Sequence, residues 1–205
     1  MLNKLLEAEE LAFLAELMAK ESDDNHSVTL QLPQASPLMP LLGQAQGLEL
    51  LAQFKHHQLR FPVRLQISES LHPELIFDAP EIIEIGPNQR KWRFRPDETL
   101  RLFDRQGNES PLNLLDLSAN GLSLSRREAD QPLPEQLDLQ LELPDGGDRL
   151  ALSARRVREL DSTSAAYQLE MQGNLAEDRL RWFLFNQHPA IQEQRNPQTE
   201  TSDEN

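Results

Sequence analysis

The chain has 205 residues, no cysteine and a formal net charge of -14, which excludes a disulfide framework, a thiol nucleophile and a thiolate metal site. The acidity also argues against the basic face that a nucleic-acid polymer requires. No apolar run approaches the ~18 residues of a membrane helix, and Glu7, Glu9 and Glu10 break the N-terminus where a secretory signal would be apolar, so a cytoplasmic protein of one or two domains without membrane insertion is expected.

Residues 2–20 place Leu2, Leu5, Leu6, Phe13, Leu14, Leu17 and Met18 largely at helical spacing, with Glu7, Glu9, Glu10 and Glu16 between them. The pattern predicts an amphipathic helix, and a polar link carries it to residue 26. From residue 27 the period changes to two. Val28, Leu30 and Leu32 alternate with polar neighbours, as do Leu48, Leu50, Ala52 and Phe54, and then Leu59, Phe61, Val63, Leu65 and Ile67. This is a β-hairpin pattern, with "KHHQ" as its turn and Pro62 suited to an edge position. "ELIFDAP" adds a short strand, so residues 27–88 are expected to form a small all-β domain.

Next comes "EIGPNQRKWRFRPDE", in which Pro87 and Pro96 bracket a basic segment. Six of the 20 lysines and arginines fall at Arg90, Lys91, Arg93, Arg95, Arg101 and Arg105, a local cationic patch suited to a small anionic ligand. Six strand patterns follow, separated by turn-rich stretches, which predicts an antiparallel barrel or sandwich. Among them, "NLLDLSANGLSLS" reads as two strands joined at an Asn120-Gly121 turn. Period-two alternation sets Asp116 and Ser118 on one face and Leu115 and Leu117 on the other. Residues 175–187 predict a closing amphipathic helix, with Asn174 as N-cap and Leu180, Phe183 and Leu184 as its apolar stripe. The polar residues 189–205 predict a disordered tail.

Conventional catalysis finds no support, since no nucleophile elbow, phosphate-binding loop or zinc-binding helix motif occurs. The adjacent His56 and His57 have no spaced third ligand and read as a solvated turn rather than a metal site.

The basic segment and the polar turn together resemble the PilZ domain, the bacterial receptor for cyclic di-GMP. That family carries Arg-x-x-x-Arg ahead of its barrel and [Asp/Asn]-x-Ser-x-x-Gly a short stretch further on. The second motif is matched by Asp116, Ser118 and Gly121. The first aligns with Lys91 and Arg95, preceded by Arg90, so that lysine stands where the family has its first arginine. A second register, Arg101 to Arg105, keeps the spacing but falls in an expected strand. The resemblance covers about residues 89–188 and implies a six-stranded antiparallel β-barrel with a C-terminal helix. The front half resembles the smaller β-barrel of YcgR-type proteins. Together these imply a mainly β, non-enzymatic cyclic di-GMP receptor or adaptor, with Arg90, Lys91, Arg95, Asp116, Ser118 and Gly121 at the ligand and no metal or cofactor. They also imply a flagellar motor component or another signalling protein as partner. The alternative is a degenerate PilZ-fold interaction module with little affinity for nucleotide, because a lysine cannot make the bidentate fork of an arginine.

Overall fold

The computed structural model describes residues 27–32, 39–54, 56–68, 72–97, 100–128, 130–143, 149–170, 174–189 and 191–192. The expected helix at 2–20 and its link to residue 26 lie outside the described residues, as does most of the expected tail. The described chain is mainly β, with two six-stranded antiparallel sheets and a C-terminal helix. It divides into two compact units, Met1–Arg90 with Phe185–Asn205, and Lys91–Leu184.

In the first unit, β1 (Ser27–Gln31) is followed by the single-turn helix α1 (Met39–Leu42), β2 (Leu48–Phe54), β3 (His57–Ile67), β4 (Pro73–Asp78) and β5 (Glu81–Glu84). The two-residue β6 (Arg90–Lys91) runs beside β5 at the unit's end. The 11-residue β3 organises the sheet. It pairs with β2 along one edge and with β4 and β5, end to end, along the other. Between Val63↔Phe77 and Arg60↔Glu81 the partner side advances one residue more than β3. That extra residue is a bulge at Ala79–Pro80. Pro62, which the sequence assigns to an edge, instead lies in this doubly flanked strand. It faces the bulge, where β3 has no registered partner on that side, so a residue without an N–H is tolerated. Leu59 and Phe61 alternate inward and bury with Ala52, Phe77 and Ile82. Phe185 packs edge-on against Phe61, with ring centroids 6.0 Å apart.

His56 is an exposed turn residue as the sequence suggests, but His57 departs from that expectation. The register Phe54↔His57 makes His57 the first residue of β3. Its Nδ1 lies 3.2 Å from Nε2 of the buried His188. Burial lowers the His57 pKa from its ordinary 6.5; Glu84 opposes the shift and His56 adds to it. Beyond His188 the first residues of the expected tail make a helical turn instead, in which Ile191 is fully buried.

The second unit contains β7 (Leu102–Phe103), β8 (Leu112–Ser118), β9 (Gly121–Arg126), β10 (Gln136–Leu141), β11 (Leu150–Glu159), β12 (Ser164–Leu169) and most of α2 (Asn174–Gln187). Its strand order is β7-β10-β11-β12-β9-β8, antiparallel throughout. The two ends of this order, β7 and β8, are consecutive in the chain, so the sheet curls into a nearly closed barrel. The link between them is fastened where Ser110 N–H donates to Leu102 O at 2.7 Å. It turns through Gly107, whose φ of 86° lies in the left-handed region that glycine adopts at least cost.

Alternation fills the barrel. Leu137, Leu139 and Leu141 point inward from β10, Leu150 and Leu152 from β11, and Ala165, Tyr167 and Leu169 from β12. Leu180, Phe183 and Leu184 of α2 join the same core, and this is the stripe expected from the sequence. At the β11–β12 turn, Asp161 accepts from Thr163 N–H, Thr163 Oγ1 and Ser164 Oγ, and these bonds hold its pKa down at about 2.

Candidate functional site

The segment before the barrel is clipped onto β8 by a two-way backbone bridge. Phe94 N–H donates to Leu117 O at 2.8 Å, and Leu117 N–H returns to Phe94 O at 2.9 Å. Two forces fix this register. Trp92 and Phe94 pack against the leucine core, and Phe94 also meets Phe183 edge-on at 5.5 Å. With Trp92 and Phe94 inward, alternation turns Arg93 and Arg95 outward. Antiparallel pairing about Phe94↔Leu117 then sets Arg93 beside Ser118 and Arg95 beside Asp116.

Asp116 owes its position to a second bulge. The pairs Leu114↔Leu124 and Asp116↔Ser123 leave Leu115 unpaired. Leu112 and Leu114 face the core before the bulge, and Leu117 faces it afterwards, so the phase has shifted by one. Leu115, expected to share the buried face of Leu117, is 42% exposed instead. The Asp116 side chain is 16% exposed, and Arg93 Nη1 donates to its Oδ1 diagonally across the strands. A guanidinium and a carboxylate thus meet on the outer surface of β8.

The tip differs from an Asn-Gly turn. The pair Ser118↔Gly121 makes Ala119 and Asn120 the two turn residues and Gly121 the first of β9. Gly121 has no left-handed φ. Its requirement is space, since a Cβ there would stand 2.8 Å from the Tyr167 carbonyl oxygen. Ser118 is fully buried, and its hydroxyl points at Gly121 O (3.0 Å) and Asn120 Oδ1 (3.2 Å), stitching the turn closed. Leu169 N–H donates to Asn120 O at 3.0 Å, which ties the tip to β12.

Asp116, Ser118 and Gly121 therefore come together, and the arginine nearest them is Arg93, which the motif alignment passes over. The signal that would have found it is the alternation in "KWRFR", where the aromatics at 92 and 94 put 93 and 95 on the opposite face. Arg95 is exposed, and among the described residues it has no hydrogen bond or ion pair. Arg90 belongs to the first unit, where Nε donates to Glu84 Oε2. Lys91 is half-buried in β6. The arginines of the second register are held by β10 and the residue after it: Arg105 pairs with Asp138 at 2.8 Å, and Arg101 pairs with Glu142. Arg90, Arg93, Arg101 and Arg105 of the basic patch thus have carboxylate partners. Glu170, the residue after the Leu169 that bonds the tip, is engaged by Arg155.

Chemically, the strip offers one carboxylate acceptor and two planar guanidiniums. An arginine can fork onto two oxygens of a phosphate, or onto O6 and N7 of guanine. A carboxylate can accept from the imino and amino hydrogens of a guanine edge. Among the described residues, no three metal-ligating side chains converge, and no helix is long and apolar enough to cross a membrane.

No protein-family profile matches the sequence, and no curated protein matches it. Solved structures do match. The first kind is a single domain, the PilZ domain of CeSA from a cellulose-synthesizing bacterium. It is 17% identical with a TM-score of 0.33, over 45% of this chain and 93% of that one. The second kind spans most of the chain. Apo MrkH of K. pneumonia is 14% identical with a TM-score of 0.38, over 94% of this chain and 97% of that one. YcgR from Escherichia coli, in complex with c-di-GMP, is 13% identical with a TM-score of 0.41, over 83% of this chain and 78% of that one.

Proposed function

We propose that this chain is a cyclic di-GMP receptor, a non-enzymatic adaptor with modules at residues 27–88 and 89–188 that rearrange when ligand engages the basic segment between them. The observation that supports this reading is the outward strip in which Arg93 and Arg95 lie beside Asp116. A phosphate-only site has no use for a carboxylate in that position, whereas a guanine edge does. Arg90 and Lys91, just ahead of the strip, add cations for the two phosphates. Charge-assisted hydrogen bonds contribute roughly 1.5–3 kcal/mol each. Three or four of them sum to about 5–12 kcal/mol, a range that spans the ~8 kcal/mol of micromolar binding.

Isothermal titration of cyclic di-GMP into the purified chain, with GTP as control, tests the proposal. Heat at micromolar ligand, absent with GTP and lost in Arg95→Ala and Asp116→Ala, is the expected result. No heat up to millimolar ligand would overturn it. The partner we propose is a flagellar motor component, so a deletion strain that swims normally at high cyclic di-GMP would exclude the motor while leaving the receptor intact.

The second reading, a PilZ-fold interaction module, draws on Lys91 and on the ion pair that already occupies Asp116. Arg95→Ala separates the two, because cellular function is lost under the receptor reading and retained under the module reading.

A further inference from the structure

We infer that Glu84 sets the ligand affinity of the basic segment by holding Arg90 in the unliganded chain. The inference rests on the receptor reading, since it takes Arg90 to meet an anionic ligand.

Glu84 is a fixed anion. It ends β5, is registered opposite His57, and is followed by Ile85, whose N–H donates to His56 O at 2.7 Å. Its side chain is only 28% exposed. Arg90 lies beside it on the neighbouring β6, and its side chain is 73% exposed. Without this contact the guanidinium would be a solvated arm. With it, the Nε edge is turned onto the Glu84 carboxylate.

A phosphate or a guanine O6/N7 edge needs the same fork of N–H donors. A ligand that uses Arg90 therefore exchanges one anionic partner for another, and its affinity is reduced by whatever the Glu84 pair was worth. Arg95 makes the contrast: among the described residues it has no partner to give up. Glu84 on this account is a positioning residue that acts only through Arg90.

The test is titration of cyclic di-GMP into the full chain at low salt, comparing wild type, Glu84→Gln, Arg90→Ala and the double variant. Glu81→Gln, at the other end of the same strand, serves as a control for the change in net charge. Glu84→Gln is expected to bind about two- to fivefold tighter, the equivalent of the roughly 0.4–1 kcal/mol of an exposed ion pair. The gain should disappear in the Arg90→Ala background and be absent in Glu81→Gln. Unchanged affinity in Glu84→Gln, or an equal gain in Glu81→Gln or without Arg90, overturns the inference and leaves the receptor reading standing. Binding by none of the variants, wild type included, overturns the receptor reading itself.

Discussion

Replacing Gly121 by alanine would put a methyl carbon 2.8 Å from the Tyr167 carbonyl oxygen, where ordinary van der Waals contact begins at 3.4 Å. The shortfall of about 0.6 Å falls on backbone, which cannot rotate away as a side chain can. β9 is flanked by β12 and β8, and β12 by β11 and β9, so neither strand can retreat without disturbing a second ladder. Overpacking of this kind costs about 1–3 kcal/mol. In a unit of this size each kcal/mol lowers Tm by about 4–8 °C, so Gly121→Ala should melt roughly 5–20 °C below wild type. The assay is thermal unfolding of the full chain followed by circular dichroism. Gly86→Ala serves as the control, because a Cβ there meets nothing within 4 Å and its φ is also outside the left-handed region; that variant should melt within about 2 °C of wild type or slightly above it. Arg93 Nη2 would lie 3.8 Å from the new methyl, an ordinary contact, so loss of the ion pair is not the main cause. Arg93→Ala should accordingly cost less, about 0.2–1 kcal/mol. A Gly121→Ala protein that melts with wild type, or no lower than Arg93→Ala, would refute the close-approach argument.

The β8 bulge predicts opposite behaviour from adjacent leucines. Leu114→Ala, at 5% exposure, should cost about 2–5 kcal/mol in urea unfolding, and Leu115→Ala less than about 0.5 kcal/mol; equal losses would mean that there is no phase shift. The Asp161 carboxyl should titrate at about 2 by carbon-detected NMR, and a midpoint at the ordinary 3.8 would show that its turn bonds are not made in solution. His57 favours its neutral form when folded, so its contribution to stability is complete above pH 6.5 and is lost as pH falls through its lower folded pKa. Denaturant unfolding should show wild type losing more stability than His57→Gln between pH 7.5 and pH 5, and an equal or smaller loss would contradict the buried pairing with His188.

Much of the barrel is legible in the sequence because a leucine core written at period two leaves little choice of face. Strand β10, "QLDLQL", buries alternate residues as it reads. The closing helix is equally plain, since Leu180, Phe183 and Leu184 can share a surface only at 3.6 residues per turn. The misreadings come where two patterns overlap. "LNLLDLS" contains both Leu112/Leu114 and Leu115/Leu117 phases, and single-strand alternation cannot say which holds. The structure uses one and then the other, with the adjacent leucines marking the switch. Asn120-Gly121 carries a strong turn signal, yet Gly121 answers to a neighbouring strand more than 40 residues away in sequence, which no local rule detects. Arg93 stays hidden in a motif defined by the spacing between cations, because its face is set by the aromatics on either side of it. The burial of His57 is not legible locally because its partner, His188, is 131 residues away in sequence.

The first unit is discontinuous in sequence, and this orders the events of synthesis. Phe61 and His57 wait for Phe185 and His188, and Ile191 is buried only when the last turn has arrived. All residues of the second unit emerge from the ribosome before those three do. The unit whose strands are made first is thus completed after the other, and until residues 185–191 have emerged it displays an aromatic and a histidine that the folded unit covers. The same arrangement means that a fragment ending near residue 90 is a unit missing part of its core, whereas one that keeps residues 185–192 attached retains it.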